Sequence, residues 1–172
     1  MGNAIFITGF SNWGKTTIIN DLFNGRKSFY QGKEYEIHDI NSTAKFTVDS
    51  HSNDDYQGKA WLDIIKNRQF NSPTKGYNLL TALCPSTEDN NNFVELLQDP
   101  IFSKYDNLYI FLIKYKYDHH AELKIENIKK FGKSLKRVKF IVIDADKELT
   151  LKEESDTARM DQIILELDKL RL

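Results

Sequence analysis

The sequence predicts an α/β protein of three layers, in which a mostly parallel central sheet carries one antiparallel hairpin strand and helices cover both faces. Three observations predict this fold class. Apolar runs of strand length, Leu108 to Ile113 and Val138 to Ile143 with Lys139 as its one charged residue, are typical of strands buried on both faces. Segments with apolar residues at helical spacing alternate with these runs. One pair of segments, Glu34 to Ile40 and Ala44 to Asp49, shows the period-two alternation of a hairpin.

The first half of the chain opens with a short apolar strand, Ala4 to Thr8. A glycine-containing turn separates it from a helix over Lys15 to Phe23, which ends at Asn24-Gly25, a good C-terminal cap. The hairpin comes next. A helix from about Lys59 to Gln69 and an apolar strand over Tyr77 to Cys84 complete this half.

The second half continues the alternation of helix and strand. We predict a helix over Phe93 to Leu97, the strand Leu108 to Ile113, a helix that opens at His119-His120, and the strand Val138 to Ile143. An amphipathic helix closes the chain, with its apolar stripe formed by Ile163, Ile164, Leu167 and Leu170.

Length and charge limit the classes of function. The 172 residues suit a single domain, 1–172, and no repeat or linker divides them. Lys and Arg number 24 against 25 Asp and Glu, so no basic field indicates a nucleic acid or an anionic membrane as partner. The single cysteine, Cys84, fits a reducing compartment, and the N-terminus lacks the features of a signal peptide or membrane span. We therefore expect a cytoplasmic protein.

The run GFSNWGKT carries the main functional signal. Gly9, Gly14, Lys15 and Thr16 match the pattern G-x-x-x-x-G-K-[ST] directly after a predicted strand and directly before a predicted helix. Glycines let the backbone wrap a phosphate closely, and the helix N-terminus supplies free N–H groups and a positive dipole end. The pattern predicts that Lys15 bridges the terminal phosphates and that the Thr16 hydroxyl binds Mg²⁺.

Three neighbours of these residues are further candidates for nucleotide binding. Asn12 lies inside the loop, and Trp13 either covers the phosphates or ribose or simply packs in the loop. Thr17 follows Thr16, and its simplest role is in the helix. The cofactors expected at this site are Mg²⁺ and a nucleoside triphosphate, GTP or ATP.

The chain at this point resembles the P-loop NTPase superfamily, and two branches compete. The Ras-like GTPase domain also has a hairpin as its second and third strands, and the resemblance makes Asp49 its metal-side and catalytic aspartate. The segment Tyr115 to Asp118 is similar to the family's N-K-x-D motif, which implies that Lys116 and Asp118 read guanine. Asp144-Ala145 stands where the family has its S-A-K loop. This sequence departs from the family in lacking a glycine after Asp49 and in carrying tyrosine at position 115.

The second branch is the small-molecule and nucleotide kinases, which hold a phosphate acceptor opposite the P-loop. The resemblance then implies that the acceptor or metal is bound by a polar cluster after the hairpin: Asp49, Ser50, Ser52, Asn53, Asp54 and Asp55. Such kinases supply several arginines, whereas Arg26 and Arg68 are the only arginines before residue 137. Alternatively, the same polar residues form only a solvated loop and cap the helix that follows.

A third reading is a nucleotide-binding regulatory module that hydrolyses slowly and acts through a protein partner. The missing glycine after Asp49 motivates it, together with the lack of an obvious water-positioning glutamine. Among the three readings the sequence favours hydrolysis of a nucleoside triphosphate, with Lys15 and Asp49 as catalytic residues and a preference for GTP.

Overall fold

The computed structural model describes residues 2–117, 119–170 and 172. Their centre is a six-stranded sheet made of β1 (Gly2–Thr8), β2 (Tyr35–Glu36), β3 (Lys45–Asp49), β4 (Leu79–Leu83), β5 (Tyr105–Ile113) and β6 (Val138–Ile143). Across the sheet the strands lie in the order β2, β3, β4, β1, β5, β6. β2 runs antiparallel to β3, and every other pair of neighbours is parallel. The expected α/β class with a mostly parallel sheet is confirmed.

Helices flank this sheet. They are α1 (Lys15–Leu22), α2 (Gly58–Phe70), α3 (Phe93–Leu97), α4 (Ile125–Phe131) and α5 (Lys152–Lys169), with short 3₁₀ turns at Pro100–Lys104 and Gly132–Ser134. α1 packs on β1 and β4 and also contacts α5, while α2 packs against β3 and α3. α5 additionally contacts β6, so the last helix is joined to the first helix and to the last strand.

The core lies along the central strands. Ile5, Phe6 and Ile7 of β1 are fully buried, and the ring of Phe6 meets that of Phe102 edge to face at 5.5 Å. Trp61 of α2 also packs against Phe102, with ring centroids 6.2 Å apart. Each such buried side chain contributes about 1.5–3 kcal/mol of transfer free energy. The core therefore fixes β1, and with it the loop that follows.

The hairpin is shorter than the sequence predicts. Its antiparallel pairing is present, with Tyr35 opposite Phe46 and Glu36 opposite Lys45, but β2 contains only two residues. Ile37 and Ile40 are buried without belonging to the strand. The alternation came from a loop that inserts apolar side chains into the core, and such a loop has the same period as a half-buried strand.

The predicted helix start at His119-His120 is wrong. His119 has φ 54°, a left-handed conformation that an α-helix does not contain, and α4 begins only at Ile125. Tyr115 instead forms a β-bridge with Glu122, and the Leu123 N–H donates to the Lys114 carbonyl at 2.8 Å. The histidines thus lie in the turn of a small hairpin after β5.

The sheet order determines where a ligand site lies. β1 runs parallel between β4 and β5, so the loop after β1 stands in the middle of the edge where the parallel strands end. Ligands of open α/β sheets bind beyond this edge.

Candidate functional site

The loop between β1 and α1, residues Gly9–Gly14, is called here the glycine loop. Two of its residues have left-handed backbones, Asn12 with φ 62° and Gly14 with φ 87°. Asparagine and glycine are the residues that tolerate this region best. A β-carbon on Gly9 would lie 3.2 Å from the Trp13 β-carbon, so that glycine permits the close turn. The sequence therefore folds tightly here without large strain.

Helix α1 presents an open N-terminus at the end of this loop. Its N-cap, Gly14, makes no side-chain capping hydrogen bond, and the first helical bond runs from the Ile18 N–H to the Gly14 carbonyl at 3.0 Å. The N–H groups of the first turn have no carbonyl partners inside a helix. They point outward with the positive end of the helix dipole, an arrangement that favours an anion.

Lys15 and Thr16 are both held by contacts across the loop. The Lys15 ammonium donates to the Phe10 carbonyl at 2.9 Å and lies 3.7 Å from Asp54 Oδ1, and the side chain is buried. The Thr16 hydroxyl donates to the Ser50 carbonyl at 3.0 Å. This bond joins α1 to the segment after β3. Thr17 is exposed beside them.

These residues line one cavity of about 470 Å³, called here the loop cavity. The sequence motif supplies one wall, from Ser11 to Thr17. The opposite wall comes from later segments and carries both signs of charge: Asp54, Asp55, Lys116, Tyr117 and Lys152. Three lysines, Lys15, Lys116 and Lys152, thus meet two carboxylates around one space beside an open helix N-terminus.

Lys152 is fixed in its charged state at this cavity. Its ammonium donates to Asp156 at 2.6 Å, and this hydrogen bond raises the pKa of Lys152 above its usual value. Asp156 in turn lies 3.9 Å from the Arg159 guanidinium. The N-terminal end of α5 therefore places a charged ammonium group, paired with Asp156, beside the loop cavity.

The structure surrounds Asp49, a predicted catalytic and metal residue, with other partners. Its carboxylate is buried, and Oδ1 accepts from the backbone N–H of His51 at 3.0 Å while contacting His51 Nδ1 at 2.9 Å. Arg68 Nε donates to Oδ2 at 3.0 Å. Asp49 is not among the residues that line the loop cavity. The carboxylates that line it, Asp54 and Asp55, come from the polar cluster predicted after the hairpin.

The neighbouring residues of that cluster fix Asp54 in place. Ser52 Oγ donates to the Asp54 carboxylate. Asn53 is buried and binds the backbone of Cys84 in both directions, its amide donating to the Cys84 carbonyl at 3.1 Å and its oxygen accepting from the Cys84 N–H at 2.7 Å. The cluster is therefore anchored to the end of β4. Burial, reinforced by the nearby Asp54 charge, raises the pKa of the Cys84 thiol to about 12.

Arg159 is a site residue that sequence analysis missed. Its guanidinium, wholly buried, donates to the Asp146 carboxylate after β6 at 2.8 Å, to the Tyr115 carbonyl after β5 at 2.6 Å and to the Trp13 carbonyl in the glycine loop at 3.4 Å. One side chain of α5 thus ties together three loops at the carboxyl edge of the sheet. Its helical spacing could have identified it as a buried residue, since Arg159 lies on the buried face of α5 with Ser155, Ile163 and Leu167.

The predicted base-reading residues are only partly brought together. Lys116 lines the loop cavity. Asp118 lies outside the residues that the structure describes. The N–H groups of Asp144 and Ala145 both donate to the Gln162 side chain, each at 2.9 Å. Trp13 is buried with its ring edge to face against Phe10, at 5.7 Å, and it also lines the loop cavity.

Comparison of the chain with protein-family models, with curated proteins and with solved structures found no match. Within residues 2–117, 119–170 and 172, no group of three or more histidine, cysteine, aspartate or glutamate side chains is placed to hold a metal ion. No helix in the described part of the chain is long and apolar enough to cross a membrane. Function is therefore inferred from the loop cavity itself.

Proposed function

We propose that this chain binds a nucleoside triphosphate with Mg²⁺ in the loop cavity and cleaves the bond to its terminal phosphate, with water as the acceptor in its basal reaction. The observation that carries the proposal is the convergence of the open α1 N-terminus, the Lys15 ammonium and the Thr16 hydroxyl on one cavity. We further propose that the fold is the three-layer P-loop NTPase fold, because this loop joins a central parallel strand to a helix.

The charges around the cavity suit a polyanion. Lys15, Lys116 and Lys152 lie on different segments and face the same space. A phosphoryl transfer site works mainly by positioning and by neutralising charge on the phosphate oxygens. Backbone N–H groups of the glycine loop and α1 would hold the inner phosphates, and the three ammonium groups would offset the charge that moves to the leaving oxygen.

The residues present also fit Mg²⁺. This ion keeps several waters in protein sites and binds through one or two side-chain oxygens and the phosphates of the substrate. Thr16 would provide its hydroxyl, and waters and phosphate oxygens would complete the set of ligands. When bound, Mg²⁺ would neutralise phosphate charge and orient the terminal phosphate. We assign Asp49 to positioning, because it holds the segment whose Ser50 carbonyl binds Thr16.

Binding by calorimetry tests the proposal. The native chain should bind MgATP or MgGTP, whereas Lys15→Ala should bind them more weakly. The matched control is Lys133→Ala, which removes an exposed lysine that lines none of the cavities described above. Equal affinities of Lys15→Ala and native protein would refute the proposal.

The identity of the base is tested in the same experiment. A GTPase-like reading requires tighter binding of MgGTP than of MgATP, with Lys116 and Asp118 as the base contacts. Asp118→Ala should then remove the preference while leaving the phosphate contacts. Tighter binding of MgATP, unchanged in Asp118→Ala, would show that these residues do not read guanine.

One observation also favours the regulatory module, in which turnover is slow until a partner binds. Two arginines close to the site are engaged elsewhere: Arg68 binds Asp49 and the Phe29 carbonyl, and Arg159 is buried and binds the Trp13 carbonyl. An arginine supplied by a partner accelerates related reactions about 10³–10⁵-fold. Rapid hydrolysis by the purified chain alone would exclude the module.

A further inference from the structure

A second cavity of about 620 Å³ adjoins the loop cavity, and we call it the acceptor cavity. Ser11 of the glycine loop and Asp54 line both cavities. The remaining wall comes from Phe10 of the glycine loop, from the segment after β4 and from α4 with the residues before it. The two spaces therefore meet at Asp54, whose carboxylate lies 3.7 Å from the Lys15 ammonium.

The chemistry of the acceptor cavity differs from that of the loop cavity. Three carboxylates line it, Asp54, Glu88 and Glu122, against one ammonium group, Lys124, which gives 1 − 3 = −2. This charge opposes binding of a phosphorylated or carboxylated molecule. The loop cavity has the opposite balance, with three lysines against two carboxylates. The two cavities are thus suited to ligands of different charge.

The walls of the acceptor cavity indicate a ring-shaped ligand with hydrogen-bonding edges. Phe10 and Phe131, with exposed fractions of 42% and 51%, stand at its rim with large apolar surfaces uncovered. Aromatic faces of this kind stack planar groups. Asn127 offers an amide donor and acceptor in the same space, and Asn91 adds an amide whose oxygen accepts from Asn53 at 2.9 Å. The volume falls within the usual range of small-molecule sites, about 300–1,000 Å³.

We propose that the acceptor cavity binds an uncharged nucleoside and that the chain transfers the terminal phosphate of the triphosphate to a hydroxyl of that nucleoside. The proposal rests on the function assigned to the loop cavity and names the molecule that replaces water there. Asp54 is its catalytic base, because this carboxylate faces both cavities and adjoins Lys15.

The transfer balances without a further reactant. The Asp54 carboxylate takes the proton of the nucleoside hydroxyl, whose oxygen forms a bond to the terminal phosphorus. The bond from that phosphorus to the bridging oxygen breaks, and its electron pair stays on the departing nucleoside diphosphate. The products are a nucleoside monophosphate, the diphosphate and the proton that Asp54 then releases to solvent.

The test uses the full chain with terminally labelled MgATP and MgGTP and four probes: adenosine, guanosine, cytidine and uridine. The expected result is labelled nucleoside monophosphate from at least one probe, formed faster than labelled inorganic phosphate. Nucleoside monophosphates offered in place of the nucleosides should remain unlabelled. Labelling of the monophosphates instead would overturn the charge argument and the proposal.

Two variants separate the acceptor cavity from the loop cavity. Asn127→Trp places a large side chain in the acceptor cavity from an exposed position of α4, so it should abolish transfer while triphosphate binding stays within twofold of native. Lys130→Trp is the matched control, since it adds the same ring to the same helix at an exposed position outside the acceptor cavity. It should leave transfer unchanged.

The base is tested by Asp54→Asn, which should reduce transfer about 10²–10⁴-fold, the usual contribution of general base catalysis. If all four nucleosides give only inorganic phosphate while MgATP or MgGTP binding is intact, the acceptor proposal fails and the loop-cavity function stands. Loss of triphosphate binding in the native chain would instead refute the underlying function. Transfer that survives Asn127→Trp would place the acceptor elsewhere and overturn the proposal.

Discussion

Arg159 and Asp146 form an ion pair that is wholly buried, with Arg159 Nη2 2.7 Å from Asp146 Oδ2. The pair joins α5 to the loop after β6, and the same guanidinium reaches the glycine loop through the Trp13 carbonyl. A buried pair of this kind stabilises the fold chiefly by each charge compensating the other.

Asp146→Asn should therefore destabilise the protein by about 3–5 kcal/mol, because it leaves the Arg159 charge uncompensated in the interior. Urea unfolding measures this loss. Glu166→Gln is the matched control, since it breaks the exposed Lys169 pair, and such surface pairs contribute about 0–1 kcal/mol. Equal losses of unfolding free energy from the two substitutions would show that the buried pair stabilises the protein no more than the exposed pair does.

Gly14→Ala should lower the free energy of unfolding by about 1–2 kcal/mol, because its φ of 87° places a β-carbon in the left-handed region. Gly25→Ala should cost a similar amount, since φ there is 71° and nothing lies within 4 Å to add a clash. Only Gly14→Ala should also weaken triphosphate binding, because only Gly14 lines the loop cavity. Calorimetry on both variants separates strain from binding, and equal affinities would contradict the assigned role of the loop.

Asp49→Asn and Asp54→Asn should lower the stability of the protein by different amounts. Asp49 is buried and binds Arg68 and His51, so its amide variant should lose about 1.5–3 kcal/mol of stability, the scale of a hydrogen bond to a charged group. Asp54 is more exposed, and its variant should lose less than about 1 kcal/mol, while both variants keep the Mg²⁺ dependence of triphosphate binding. Thermal unfolding and a Mg²⁺ titration make the comparison. A stable Asp49→Asn that no longer responds to Mg²⁺ would return the metal role to Asp49.

Stability should fall as pH rises above about 9, the value at which the Cys84 thiol of the unfolded chain ionises. Burial raises the thiol pKa to about 12 in the folded protein, so between these values the unfolded state releases a proton that the folded state keeps. The contribution of the thiol to the free energy of unfolding is complete below pH 9 and is lost toward pH 12. Tyr105 also makes stability fall as the pH rises, because burial raises its pKa as well.

Urea unfolding at a series of alkaline pH values checks this prediction, with Cys84→Ala as the comparison. That variant should show a shallower decline, since only Tyr105 then contributes among the two groups. A decline as steep in Cys84→Ala as in the native chain would show that the thiol takes no part.

The sequence allowed the fold class and the glycine loop to be predicted because both depend on local patterns. Residues 108–113 of β5 form a continuous apolar run and are all buried, and the glycine loop has fixed residue spacing. The predicted strand Val138–Ile143 is present, but it is only partly buried because it lies at the edge of the sheet. The predicted start of α4 was wrong, since the turn at His119 depends on the bridge between Tyr115 and Glu122.

The partners within the candidate site could not be predicted in the same way. Asp49 and Asp54 are five positions apart in one polar segment, and only the positions of Arg68 and Lys15 in space distinguish them. Likewise the hydrogen bonds of Gln162 to Asp144 and Ala145 depend on how α5 packs beside β6. Pairings between distant segments leave no periodic signal in the chain.

The contact between Arg159 and Trp13 spans 146 positions, so two segments far apart in the chain meet at the glycine loop. During synthesis the loop is therefore translated well before the arginine that supports its backbone. A nascent chain that still lacks α5 has the whole sequence motif but lacks the Arg159 side chain that binds the glycine loop. On the ribosome, competence to hold a ligand would therefore arise only after α5 has been translated and has packed against the glycine loop.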